Sequence, residues 1–260
     1  MSLDHAPKIV KHQTLTRDAF LGGRLIVSQP SHGFRAGLDS VLLGAAVNPD
    51  SRSLLDLGAG AGTAALVAMA DNPAITATLV ESDPDMAALA ALNLNENGLA
   101  DRGRVLTLDV TAPGKARTAA GLAADHFASV IANPPFFDPG RGSAPSDERA
   151  AARHMNEPDL DRWVKTAATH AAPGGEVIFI YPAPLFLALV TALGARFGAI
   201  TVLPLVPRDG EPASRVLVRG IKGSRAPLTL LASRTLHEPA GRTFRPEFEA
   251  IFRGTGRLIW

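Results

Sequence analysis

The tetrapeptide Asn133-Pro134-Pro135-Phe136 carries the most specific chemistry in the chain. A side-chain amide oxygen and a neighbouring backbone carbonyl can each accept one N–H of a planar NH2 group. Gripped in this way, the nitrogen is drawn toward tetrahedral geometry, and the positive charge developing on it during attack is stabilised. Asn133 supplies the first acceptor. Pro134 supplies the second, because proline has a carbonyl but no competing N–H. Pro135 stiffens the turn, and Phe136, with Phe137 behind it, offers a face on which a flat substrate stacks. The plain alternative is a strand stopped by two prolines, with a core aromatic after it.

About 75 residues upstream lies Ser53-Leu54-Leu55-Asp56-Leu57-Gly58-Ala59-Gly60-Ala61-Gly62. Glycines without side chains let a ligand approach the backbone, and a parallel sheet binds ligands beyond the carboxyl ends of its strands. Three predicted strand ends there offer Asp56, Glu81 (followed by Ser82) and Asp109 (followed by Val110). Glu81 can accept both hydroxyls of a ribose, and Asp109 can accept from an exocyclic adenine amine. A dinucleotide site shares the glycines and the later acid, but its Gly-x-Gly-x-x-Gly pattern seats a pyrophosphate on a helix N-terminus. Here Thr63 stands where the last glycine of that pattern would be. Asp56 beside the turn suits the ammonium group of S-adenosylmethionine better than a pyrophosphate. Methyl transfer from a sulfonium then needs in-line geometry and a lone pair, and no metal. Taken singly, each carboxylate reads equally well as a cap.

The elements that must position these groups follow from periodicity. Strands are predicted at 53–57, 76–81, 104–108, 124–132, 176–180 and 199–206, with further candidates at 214–220 and 228–236. Helices are predicted at 63–70, 84–97, 159–171 (stopped by Pro173-Gly174-Gly175) and 185–197, with Ser82 or Asp83 capping the second. Strands alternating with helices imply right-handed crossovers: an α/β, Rossmann-like fold with a mainly parallel seven-stranded sheet and helices on both faces. Residues 1–50 read as an N-terminal extension packed on the core, with a hairpin around Gly22-Gly23 and a helix over 38–47; residues 51–260 form the main domain. Loops are expected at 110–125 and 137–158, the second lying over the site as a lid.

Composition bounds the rest. Hydrophobic residues make up 46% of the 260, ample for a large core, and there is no cysteine for disulfides or thiolate metal sites. The first 18 residues contain no apolar targeting core, so a cytoplasmic location is expected. Val177 to Ala195 is a 19-residue stretch without charge, but Pro182 and Pro184 break it, which favours a buried strand and helix over a membrane span. Net charge is +1, unevenly distributed: residues 211–260 hold nine Lys/Arg against four Asp/Glu, whereas 51–210 hold twelve against seventeen. Such a basic tail fits a phosphate-contacting edge or an ordinary solvated surface. The seven histidines show no metal-ligand spacing.

With these motifs in place, the chain resembles the bacterial S-adenosylmethionine-dependent class I methyltransferases with a "small" domain. Among them it most resembles the tRNA (adenine-N6)-methyltransferases that modify the adenine next to the anticodon of a valine tRNA. The resemblance rests on residues 18–24 (Asp-Ala-Phe-Leu-Gly-Gly-Arg), on Arg35-Ala36-Gly37-Leu38-Asp39 and the four residues after it, on Asp56 to Gly62, on Glu81, on Asn133 to Phe137 and on the tail around Arg215 and Phe244 to Phe248. It implies S-adenosylmethionine as donor, held by Arg35, Gly37, Asp39, Asp56, Gly58, Ala59, Gly60, Gly62, Glu81, Ser82, Asp109, Val110 and Asn133. Asn133 to Phe136 would be catalytic, Phe136 and Phe137 would meet the substrate, and the partner would be RNA. Phe136 stands where many relatives have tyrosine. A bland reading of Arg35 to Asp39 is a solvated arginine and a helix cap. The Asn-Pro-Pro-aromatic motif also occurs in enzymes that methylate a release-factor glutamine or an rRNA guanine, and a non-catalytic donor-binding or RNA-binding subunit is a third alternative.

Overall fold

The computed structural model describes residues 14–33, 35–135 and 157–260. Two strands, β1 (Leu15–Phe20) and β2 (Leu25–Pro30), make a separate antiparallel hairpin through a turn in which Gly22 and Gly23 have φ of 64° and 92°. The main sheet contains β3 (Ser53–Leu57), β4 (Thr76–Glu81), β5 (Gly103–Thr107), β6 (Phe127–Ala132), β7 (Ala171–Pro182), β8 (Phe197–Val206), β9 (Arg215–Lys222), β10 (Thr229–Leu230) and β11 (Arg234–Thr235). The helices are α1 (Leu38–Ala45), α2 (Thr63–Asp71), α3 (Pro84–Glu96), α4 (Gly114–Ala119), α5 (Glu157–His170), α6 (Phe186–Gly194) and α7 (Pro246–Phe252).

Strand order is β10-β8-β9-β7-β6-β3-β4-β5, with β11 also paired to β8. Strands β3 to β7 are mutually parallel, and β9 runs antiparallel to both its neighbours, β7 and β8. Seven strands of five or more residues form the body of the sheet, as expected; the predicted strand at 228–236 becomes the two short edge pieces β10 and β11. The central strands are apolar on both sides because both faces are covered. Residues from α1, α2 and α3 fill one core, and residues from α5 and α6 fill the other.

Several expectations need correction. Helix α4 lies inside the loop expected at 110–125. The Pro173-Gly174-Gly175 stop does not end a helix. Helix α5 already ends at His170, and β7 begins at once with a bulge: its register against β6 jumps from Phe127↔Ala171 to Ser129↔Glu176. Gly175 permits that bulge, since a Cβ there would lie 2.9 Å from the carbonyls of Ala172 and Phe127. The charge-free stretch resolves into the end of β7, a short turn and α6, and among the described residues no helix is long and apolar enough to cross a membrane. The lid expected at 137–158 falls outside the described residues up to 156.

Side chains join the hairpin to the domain. Asn93 on α3 and Asn97, the residue that caps the end of the helix one turn later, face the edge of β2. Asn97 accepts from the Ile26 N–H (2.9 Å) and donates to the Ile26 carbonyl (2.8 Å); Asn93 treats Ser28 in the same way (2.8 and 3.0 Å). Two amides thus imitate a neighbouring strand and satisfy the edge. At the other end, Arg24 donates to the Ala70 and Gly254 carbonyls and pairs with Asp71 (3.1 Å), tying the hairpin to α2 and to the segment after α7. The Trp260 indole donates to the Ala46 carbonyl (2.9 Å).

Candidate active site

Strand order reverses at β3, whose neighbours are β4 on one side and β6 on the other. Crossovers leave opposite faces of the sheet at such a point, so a crevice opens beyond the strands' carboxyl ends. Leu57 on β3 stands in register with Ala132 on β6. The glycine turn and Asn133 therefore follow directly from paired residues on adjacent strands, about 5 Å apart. An open cleft is lined there by Asp56, Gly58, Ala59, Ala61, Ala64 and Asn133, with Gln29, Ala36, Ser40, Leu43 and Met86 closing its sides. Asn133 is half-buried, Pro134 buried and Pro135 exposed. Phe136 and Phe137 lie outside the described residues.

The glycine turn is braced from β4. The N–H groups of Gly58 and Ala59 donate to the Val80 carbonyl (2.8 and 3.0 Å), and the Gly60 N–H donates to the Glu81 carboxylate (2.8 Å). Gly58, Gly60 and Gly62 all have positive φ, of 69°, 56° and 85°. A side chain at any of them would be strained. At Gly58 and Gly62 it would also collide with Trp163 and Leu79, at 2.5 and 2.9 Å from Cβ.

Asp56 is 2% exposed and accepts one hydrogen bond, from the Ala65 N–H at 3.2 Å. Burial pushes its pKa up to about 7, with the nearby Glu81 charge adding to the rise and the Ala65 N–H opposing it. Among the described residues, no basic side chain is among the groups acting on it. A cationic ligand in the cleft would remove that penalty.

The other expected donor residues are placed as follows. Glu81 is half-buried; one oxygen accepts from Gly60, and the other from the Asp83 N–H (2.9 Å) and the Ser82 hydroxyl (3.3 Å). Its remaining lone pairs can still take a ligand hydroxyl. Asp109 is exposed and closes a turn by accepting from the Thr111 N–H and hydroxyl (2.7 and 2.8 Å). Val110 is buried. Arg35 does not line the cleft: it pairs with Asp18 (2.7 Å) and donates to the Thr16 hydroxyl and the Pro30 carbonyl. Asp39 pairs with Arg215 on β9 (2.9 Å). Gly37 is the N-cap of α1, between the lining residues Ala36 and Ser40.

Two contributors escaped sequence reasoning. Gln29 is 1% exposed; it accepts from the Ala36 N–H (2.7 Å) and donates to Asp18 (3.0 Å), which fixes the approach to α1. Asn93, fully buried, donates to the Ala61 carbonyl (2.9 Å) as well as to β2, so one amide links the hairpin to the glycine loop. The signal available was Asn93 and Asn97 at helical spacing on an otherwise Ala/Leu-rich helix. The basic tail reads differently in three dimensions. Arg215, Lys222, Arg234, Arg245 and Arg253 form ion pairs with carboxylates, Arg219 lies over the Trp260 ring (4.6 Å), and Arg257 donates to the Asp71 carbonyl.

The family model of the methyltransferase small domain matches residues 37–204, from the start of α1 into β8. The chain belongs to that family. The match spans the methyltransferase small domain's cleft elements on both sides of the crevice, including Asp56, the glycine turn and Asn133. A tRNA1(Val) (adenine(37)-N6)-methyltransferase of a Flavobacteriaceae bacterium (strain 3519-10) is 31% identical over 162 residues, 62% of this chain and 65% of that protein. A protein of the same name from Shewanella amazonensis is 33% identical over 151 residues, 58% of this chain and 61% of that one. The chain thus matches slightly less than two thirds of the length of these relatives. A crystal structure of an Agrobacterium tumefaciens protein described as a predicted O-methyltransferase superposes with a TM-score of 0.72 at 32% identity, covering 85% of this chain and 98% of that one.

Proposed function

We propose that the chain is an S-adenosylmethionine-dependent N-methyltransferase acting on the exocyclic N6 amine of an adenine in structured RNA, most of all tRNA. The observation that carries this reading is the placement of Asn133-Pro134 at the end of β6, in one cleft with a buried carboxylate and a glycine turn. The residues fit such a donor. Among the described residues Asp56 has no counter-cation and suits an ammonium group, the backbone at Gly58 to Gly60 allows close approach, and Glu81 keeps lone pairs for a ribose. The donor, when bound, supplies an electrophilic methyl group. The Asn133 side-chain oxygen and the Pro134 carbonyl hold the two N–H bonds of the amine, aim its lone pair and stabilise the charge it gains. Phe136 is assigned to stack on the extruded base. Residues 51–260 form the methyltransferase unit, and 1–50 an extension whose Gln29, Ala36 and Ser40 close one side of the cleft. A tRNA substrate places the enzyme in the cytoplasm.

The names of the Flavobacteriaceae and Shewanella relatives support adenine as the acceptor. An oxygen acceptor would need a group to take its proton during attack. Among the described lining residues Asp56 alone titrates, and it is assigned to the donor. The test is incubation with methyl-labelled S-adenosylmethionine and, separately, bulk tRNA, bulk rRNA and a release-factor mixture, followed by digestion of labelled RNA to nucleosides. Label in N6-methyladenosine from tRNA is the expected result. Label on protein alone, or in N2-methylguanosine from rRNA, would overturn the choice of acceptor.

A further inference from the structure

Helix α5 lies on the face of the sheet opposite α1 and α2, and none of its described side chains lines the cleft. It nevertheless touches both turns that the donor reading uses. The Trp163 side chain, 9% exposed, packs against Gly58 so closely that a Cβ there would sit 2.5 Å from its Cη2 and 3.1 Å from its Cζ3. One turn later Thr166, 1% exposed, donates to the Val110 carbonyl at 2.9 Å. Its hydroxyl also accepts from Arg117 (3.2 Å), and Arg117 donates to the Ala112 carbonyl (2.6 Å), so the turn after Asp109 is held at two points.

The two turns belong to strands that are not neighbours. Gly58 follows β3, Val110 lies beyond β5, and β4 runs between them. Two strand spacings separate them, roughly 10 Å. Sheet hydrogen bonds set that distance only through β4. Side chains three residues apart lie on one helix face, so α5 is a rigid bar with a contact to each turn. We propose that Trp163 and Thr166 are positioning residues that fix the separation of these two turns, and with it the fit of a donor whose amino-acid end lies at Asp56 and Gly58 and whose base lies at Asp109 and Val110. This rests on the donor reading above.

The chain has two tryptophans, and the second, Trp260, lies at the C-terminus against Ala46 and Arg219. In a Trp260→Phe variant the tryptophan emission therefore comes from Trp163. Titration with S-adenosylmethionine, followed in the same samples by emission and by calorimetry, should give a saturable emission change with the calorimetric midpoint. Trp163→Phe should raise the donor KM about tenfold and leave the acceptor KM within twofold. Thr166→Val should raise the donor KM about fivefold, for one lost hydrogen bond, and Thr166→Ser should restore it. Should Trp163→Phe not fold, the Thr166 pair decides. Binding heat without an emission change, parallel rises in both KM values, or Thr166→Val matching the parent would each overturn the proposal. Absence of any donor-binding heat in the parent protein would overturn the donor reading and this proposal together.

Discussion

Asp56 and Glu176 are both buried carboxylates of one sheet, 2% and 4% exposed, and the fold treats them differently. Glu176 on β7 stands in register with Ser129, level with Leu54 near the start of β3; Asp56 stands near that strand's carboxyl end. Glu176 accepts from the Ser129 hydroxyl (2.7 Å) and the Asn48 N–H (2.8 Å), with the Arg219 guanidinium nearby. Burial still raises its pKa, but each of these partners pulls it back. Asp56 has one backbone N–H on its side and the charge of Glu81 against it. Desolvating a charge costs several kcal/mol unless partners offset it. The chain supplies those partners for Glu176. It leaves Asp56 to be neutralised by a proton or by a cationic ligand, the difference on which its proposed binding role rests.

The largest expected effect breaks that comparison directly. Asp56→Ala should abolish donor binding in calorimetry. Asp56→Asn should do the same while raising the melting temperature of the ligand-free protein at pH 8. The sign follows from linkage: a carboxyl whose pKa rises from 3.8 to about 7 on folding contributes stability that is complete below about pH 4 and lost as pH rises through about 7. The gain from Asn should accordingly vanish toward pH 4. If Asp56→Asn instead lowers the melting temperature at every pH and still binds donor, the carboxylate is structural.

Asn133→Ala should lower turnover about a hundredfold to a thousandfold, the usual loss for one preorganised hydrogen-bond partner, with donor affinity unchanged. Equal turnover would remove the proposed grip on the amine. Glu176→Ala should act on stability alone. It should cost about 3 kcal/mol in denaturant unfolding, because the Ser129 hydroxyl, the Asn48 N–H and Arg219 lose a buried partner. Donor affinity of the folded fraction should stay within twofold. A smaller effect sharpens the contrast without mutation: donor Kd should rise about tenfold per pH unit below pH 7, as Asp56 takes up the proton that competes with the ligand. A flat profile from pH 8 to 5.5 would show that the donor does not bind against this carboxylate. Least of all, Arg253→Ala, on an exposed helix pair, should change stability by about 0.3 kcal/mol.

Local pattern made much of this molecule legible. Strands β3 and β4 end where the sequence predicts, at Leu57 and Glu81, because short apolar runs bounded by glycine or by a helix cap have few other solutions. Asp83 caps α3 as expected, accepting from Asp85 and Met86. Features set by pairing with distant residues were not legible. The bulge at Pro173 to Gly175 exists because β7 must meet β6 in a particular register. Arg35 and Asp39 look like ligand contacts in the sequence, yet their partners, Asp18 and Arg215, are 17 and 176 residues away. The tail's basic excess suggests a phosphate surface to a count of charges, while most of those cations already hold carboxylates or carbonyls of the same chain.

The sequence by itself determined the alternation of strands and helices, the glycine turn that only residues without a Cβ can make at Gly58, Gly60 and Gly62, and the proline-stiffened pair of acceptors at Asn133 and Pro134. These are local matters, decided by steric limits on φ and by the donors and acceptors each residue type carries. The tertiary structure alone decided that the two motifs share a cleft, through the pairing of Leu57 with Ala132. It also decided that Asp56 lies buried with no counter-cation among the described residues, and that α5 touches both the glycine turn after β3 and the turn after Asp109 from the far side of the sheet. Burial and long-range register are properties of the packed chain, since they depend on which residues exclude water from one another.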